Sequence, residues 1–172
     1  FILIGGIFFL ALLFFYKQNS EIGTYPNVGT AVEYNNLVVE DQVDFAKRYN
    51  EFSKLNDAIA KADSEKTLQE LILNSKNLQK KVQKSKIPGQ NSEIFKQALV
   101  TFYKDRQTVL ENEFREAIEL LYKNPISQSE NERLYFLVEE INRKTDESTL
   151  RFTDSHEDYA KSNGFRLVEV GS

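Results

Sequence analysis

The sequence predicts an all-α protein, an N-terminal transmembrane helix followed by an up-and-down antiparallel four-helix bundle. Three observations predict it. The first sixteen residues carry no charge. Beyond residue 30, apolar side chains recur every three or four positions over long stretches, and no period-two run is long enough to make a sheet. Punctuation is sparse, with seven Gly and three Pro in 172 residues, which suits long helices with few breaks. The alternative architecture has three long helices and a second helix packed peripherally.

Residues 1–17 form the expected anchor. The run FILIGGIFFLALLFFY ends at Tyr16, and Lys17 follows. As a helix it spans roughly 24 Å against a hydrocarbon layer of roughly 30 Å, so a few preceding residues would complete a crossing. The run ends Leu13-Phe14-Phe15-Tyr16 with no small-residue cleavage pattern, which favours an uncleaved signal anchor over a removed signal peptide. Tyr16 and Lys17 suit the headgroup boundary. Gly5 and Gly6 would let another membrane helix approach closely. Residues 18–29, broken by Gly23, Pro26 and Gly29, read as a linker, and residues 30–172 as the helical-bundle domain. An N-terminal anchor of this kind predicts a soluble domain outside the cytoplasm, periplasmic or on the cell surface.

The first bundle helix is expected from Thr30 to about Ala62. Val38, Gln42, Phe45, Tyr49, Phe52, Asn56 and Ile59 step four and three alternately, a heptad seam holding two amides. The second is expected from a cap at Asp63 or Ser64 to about Lys86, with Leu68, Leu71, Ile72, Ser75, Leu78 and Val82 inward. Ile87-Pro88-Gly89 stops it. The third runs from Asn91 or Ser92 to Asn124 behind a broad face that includes Phe95, Leu99, Phe102, Val109, Leu110, Phe114 and Ile118. The fourth begins near Ser129, with Glu132 completing a capping box. It ends near Asn163, where Gly164 supplies the left-handed residue that terminates helices. Phe165, Leu167 and Val168 could then fold back over the bundle's open end.

Composition excludes several chemistries. With no Cys there is no disulfide, zinc–thiolate site, iron–sulfur cluster or thiol nucleophile in these residues. A net charge of −4 gives no preference for nucleic acid. One histidine cannot furnish the paired Glu-x-x-His motifs of a di-metal bundle. That histidine, His156, lies in Asp154-Ser155-His156-Glu157-Asp158. Neighbours along a helix point 100° apart, so the run makes no triad, and a surface structural role is expected for it. No Gly-rich phosphate loop is present. The sequence therefore predicts no catalytic residue, no metal ligand and no cofactor.

Two surface features remain. The second helix ends in Lys76, Lys80, Lys81, Lys84 and Lys86 with no acid among them. These cations suit a helix C-terminus, and they are the candidate partner-binding residues, for anionic headgroups, surface polysaccharide or an acidic protein. Tyr103, Tyr122 and Tyr135 fall off the main stripes and are candidates for an exposed contact surface. Glu139 with Arg143 and Glu140 with Lys144 are expected as i,i+4 pairs.

Certain segments carry a resemblance. Ala31-Val32-Glu33-Tyr34-Asn35-Asn36 with Gln42, Thr101-Phe102-Tyr103-Lys104, Glu111-Asn112-Glu113-Phe114, Arg133-Leu134 with Val138-Glu139-Glu140-Ile141, and Asp158-Tyr159-Ala160-Lys161-Ser162-Asn163 together resemble a family of small bacterial surface proteins of spirochaetes and Bacteroidota. The resemblance spans most of residues 31–169. It implies a surface location and no established active site, so no residue roles carry over. Members are often lipoproteins, and the lipidated Cys is missing here. A second likeness is to LemA-type proteins, on the apolar start and Tyr34-Asn35-Asn36-Leu37-Val38, without the Arg-Arg and Pro-Asn-Leu-Val stretch expected next.

The expectation is a non-enzymatic, membrane-anchored envelope protein with a protein partner, an accessory subunit of a membrane complex being one form. The alternative is a module holding a small apolar or anionic molecule between helices.

Overall fold

The computed structural model describes residues 29–54 and 59–167. The anchor at 1–17 with Gly5 and Gly6, all but Gly29 of the linker, Asn56 and Val168 lie outside the described residues. Among the described residues there is no strand, and no helix is long and apolar enough to cross a membrane. The helices are α1 (Ala31–Ser53), α2 (Lys61–Lys84), α3 (Ser92–Val109), α4 (Arg115–Leu121) and α5 (Gln128–Ser162). A π-helical turn, Leu110–Phe114, joins α3 to α4 without a break.

Cross-helix pairs set the topology. Asp41 meets Lys81 and Arg48 meets Glu70, so α2 runs against α1. Gln79 meets Gln107, and Lys96 reaches the Ser85 carbonyl, so α3 runs against α2. Arg151 meets Asp105 and Arg133 meets Glu116, so α5 runs against α3 and α4. Tyr49 meets Thr145 and Asn35 meets His156, which closes the ring by setting α5 against α1. The result is the up-and-down bundle. The α2 helix packs extensively on α3 and is not peripheral.

Several boundaries differ from the sequence reading, each for an identifiable reason. α1 ends at Ser53 and α2 already begins at Lys61, on an extended Ala60. Ser64 is therefore not a cap; it is buried inside α2, its Oγ 2.9 Å from the Tyr122 hydroxyl. That hydroxyl donates to the Ile59 carbonyl at 2.7 Å, so a contact from the distant α4–α5 link fixes where α2 starts. For α5 the sequence offers two overlapping Ser-x-x-Glu registers, and the one used is Ser127 with Glu130. Glu130 also takes an ion pair from Lys123, which the Ser129–Glu132 register would forgo. At the other terminus Gly164 is left-handed at φ 71°, the Phe165 amide donates to Ala160, and the Phe165 ring meets Tyr159 edge-on at 5.9 Å.

The core is built around aromatic rings. From Phe165 the contacts pass through Tyr159, Phe95, Phe152, Phe102, Tyr103, Phe45, Tyr49 and Phe114 to Phe52. The tightest pair, Phe95 and Tyr159, stacks at 4.3 Å with planes 7° apart. α2 adds the aliphatic wall of Leu68, Leu71, Ile72, Leu78 and Val82. Tyr103, expected at the surface, is wholly buried within this column.

Candidate functional site

The bundle has two unlike ends and one polar seam. At the end where α1 begins, three pieces meet. Gly89 in the α2–α3 link lies against Ala31 and Asn163. The Gln90 amide donates to Asn163 Oδ1 at 2.8 Å, and Asn163 Nδ2 donates back to the Gln90 carbonyl at 3.0 Å. Asn91 donates to Ser162. α1 is capped by Thr30 and Glu33 reciprocally.

The five lysines predicted as a partner patch divide here. Lys76 pairs with Glu111 at 2.8 Å, and Lys81 with Asp41 at 2.7 Å. These two tie α2 to the π-helical turn and to α1. Lys80, Lys84 and Lys86 are exposed, with no ion pair to any described residue. Exposed Ile94 and Val32 lie in the first turns of α3 and α1, also at this end, at 62% and 42% exposure.

The far end is aromatic. Tyr135 and Phe136 are both 51% exposed, and Ile59 and Ile126 are exposed in the adjoining links. Arg133 grips Glu116 through two 2.7 Å hydrogen bonds while its guanidinium lies 5.3 Å from the Phe136 ring. The fork holds the Glu116 carboxyl below its ordinary range. Lys123 and Ser127 together hold Glu130 down at about 2. Tyr135 is thus placed on the surface as predicted, and Tyr122 is half-buried as the bridge to α2.

The polar seam lies between α1 and α5, and sequence reasoning missed it. Arg106 of α3 is 1% exposed. Its guanidinium lies over the rings of Phe102 at 4.9 Å and Tyr49 at 5.5 Å. One terminal nitrogen donates to the Thr145 carbonyl at 2.9 Å and to Thr149 Oγ1 at 2.6 Å. Burial lowers its pKa, yet a guanidinium keeps its charge inside proteins. The Tyr49 hydroxyl is hydrogen-bonded to Thr145 Oγ1 at 3.1 Å, and burial raises its pKa. At the same level, Asn50 Oδ1 and Asn142 Oδ1 are buried acceptors without a hydrogen-bond partner among the described residues.

His156 corrects the expectation of a surface residue. It is 3% exposed, stacked on Phe95 at 5.2 Å, and its Nε2–H donates to the Asn35 side-chain oxygen. Burial lowers its pKa to about 4, so the ring is neutral at pH 7. The sequence signal existed. Phe95, Leu99, Phe102, Arg106 and Val109 step four, three, four, three, and His156 fits between Phe152 and Tyr159 in the same rhythm. Polar type hid both.

The ion pairs expected on α5 also shift. Arg143 pairs with Glu140 and Glu147, not Glu139, while Lys144 reaches Glu113 on the π-helical turn at 2.6 Å and Glu140 only at 3.9 Å. Among the described residues no group of three or more His, Asp or Glu side chains is arranged to hold a metal ion. The open surface grooves among the described residues include one of about 390 Å³ between α2 and α4 lined by Leu68, Ile118 and charged neighbours, and one of about 220 Å³ beside Arg48 and Phe52.

No family model, no curated protein and no solved structure matches this chain.

Proposed function

We propose that this chain is a membrane-tethered, non-enzymatic protein of the cell envelope, whose helical bundle holds a protein partner at its far end. The observation that carries the reading is the half-exposed pair Tyr135 and Phe136, backed by the Arg133–Glu116 fork. Tyr, Phe and Arg are the residues enriched where protein interfaces bury their cores. Here the rings stand on a rigid 35-residue helix, so little conformational entropy is lost on binding. The apolar run at 1–16, read as the tether, supports an envelope location, as an accessory subunit of a membrane complex if the partner is itself embedded.

The test is co-purification of the full chain from native membranes in mild detergent, with Tyr135→Ser and Phe136→Ser combined as the variant. A partner retained by the parent and lost by a variant of unchanged helicity is the expected result. A chain that stays monomeric and alone under every mild condition would overturn the reading.

A second reading takes the α2–α4 groove as the seat of a small molecule with an anionic group, held by Lys66 and Arg115 in a lining that also carries Glu65 and Glu119. Isothermal titration of Arg115→Gln against the parent with small carboxylates and phosphates would test it; heat unchanged by the variant rejects it.

A further inference from the structure

The geometry points to the tether end of the bundle as a docking face for anionic lipid headgroups, made by Lys80, Lys84 and Lys86 with the exposed Ile94. The inference rests on the reading of residues 1–17 as a membrane anchor and deepens it. A tether keeps the bundle near a bilayer; this face decides how the bundle stands on it.

Charge is the first support. The whole chain is net negative, yet the stretch from Lys76 to Lys96 holds six lysines and a single acid, Glu93. Two of the six are spent on Asp41 and Glu111, and Lys96 reaches the Ser85 carbonyl. The remaining three are exposed at the end where α1 begins. Lys161 and Arg166, exposed at the close of α5, add to the same end, against Glu157 and Asp158 a turn deeper. Glu33, in the first turn of α1, is occupied by the backbone amides of Gly29 and Thr30.

Apolar exposure is the second support. Ile94 is 62% exposed in the first turn of α3, at the same end of the bundle as these lysines. An exposed aliphatic side chain at the same end as a group of cations suits the boundary between headgroups and acyl chains, where cations meet phosphate and the aliphatic group leaves water.

Chain length is the third. Lys17 to Thr30 is a fourteen-residue connection. Such a chain spans at most roughly 50 Å and averages roughly 20 Å if flexible. The tether end is therefore held close to the surface at an effective concentration on the order of millimolar. A contact too weak to recruit a protein from solution is enough to orient one already held there. Each lysine near an anionic surface shifts the docked-to-undocked ratio by about fivefold, so three give roughly a hundredfold at most.

The chain has no Cys, so one introduced thiol reports one place. The full chain carrying Gln90→Cys at the tether end, or Ser129→Cys at the far end, is labelled with a small fluorophore. It is then reconstituted into vesicles of phosphatidylcholine alone or mixed with phosphatidylglycerol, each containing a headgroup-linked nitroxide quencher. Quenching of the Gln90→Cys label in the anionic vesicles only, with the Ser129→Cys label bright in both, is expected. Combined Lys80→Gln, Lys84→Gln and Lys86→Gln should restore the signal, and Ile94→Ser should restore part of it. Added salt should do the same in the parent, which needs no variant to fold. Quenching that is equal in neutral and anionic vesicles, or indifferent to both salt and the lysines, overturns the inference. Flotation with neutral vesicles reads the anchor separately: a chain that does not float with them has lost the tether itself.

Discussion

Between α2 and α3 the buried side chains of α2 are aliphatic but for two serines, and charged or amide groups such as Gln79, Gln107, Lys76 and Glu111 meet only at the rim. Between α1 and α5 the order is reversed. α1 buries no Leu or Ile; it offers Tyr, Phe, Val, Ala, Asn and Ser. Its recorded bonds to α5 run through Tyr49 with Thr145 and Asn35 with His156, and Arg106 crosses from α3 to the same threonine. The first seam excludes water by area, at roughly 25 cal/mol per Å² of apolar surface. The second depends on groups that cost energy whenever a partner moves away. One side of the bundle tolerates slippage, and the other specifies register.

Removing Arg106 breaks that contrast most severely. Arg106→Ala should cost about 4 kcal/mol in urea unfolding, from the cavity and from the orphaned threonine oxygens. Arg106→Met keeps the stem, and buried charges replaced by apolar groups of similar volume are often neutral. A methionine variant as weak as the alanine one would show that the charge itself is required.

Acid sharpens the comparison next. The His156 ring titrates near 6.5 when unfolded and at about 4 when folded, so its neutral burial contributes fully above pH 6.5. As pH falls through that window the unfolded chain takes up the proton first, and stability drops by up to about 3 kcal/mol by pH 4. His156→Leu should flatten the slope between pH 6.5 and 4.5, read from chemical unfolding at a series of pH values; an unchanged slope would assign the loss to carboxylates.

Tyr49→Phe deletes one hydroxyl and should cost about 1 kcal/mol; with Thr145→Val in a double-mutant cycle the two losses should fall short of additive. Amide exchange by mass spectrometry should find α1 opening more readily than α3, because α3 packs more extensively on its two neighbours than α1 does on its own. Smallest of all, Lys76→Gln removes an exposed pair and should shift stability by less than about 0.5 kcal/mol.

Legibility in the sequence follows the same division. The helices, their antiparallel order and the α2 wall were readable because aliphatic residues announce an inward face. Gly164 and the Pro88-Gly89 stop were readable because their backbone preferences are local. Arg106 and His156 were not, since residue type argues for solvent and only the heptad position argues for burial. The start of α2 was hidden for a different reason: Tyr122, some sixty positions away, decides it. Of the candidate surface, the lysine run was visible as composition. Which lysines it leaves without an ion pair among the described residues depended on Asp41 of α1 and Glu111 of the π-helical turn.

Gly89 has a mechanical consequence. It holds φ at 94°, and a methyl there would sit 2.1 Å from Asn163 Oδ1 and 3.1 Å from the Ala31 side chain. The close of the last helix is thus hydrogen-bonded to a link from the middle of the chain, the start of the first helix packs on that link, and Asn35 with His156 joins the two helices a turn deeper. Tension arriving through residue 30 is shared at once with α5, so the bundle would resist pulling as one block and not peel open from its first helix.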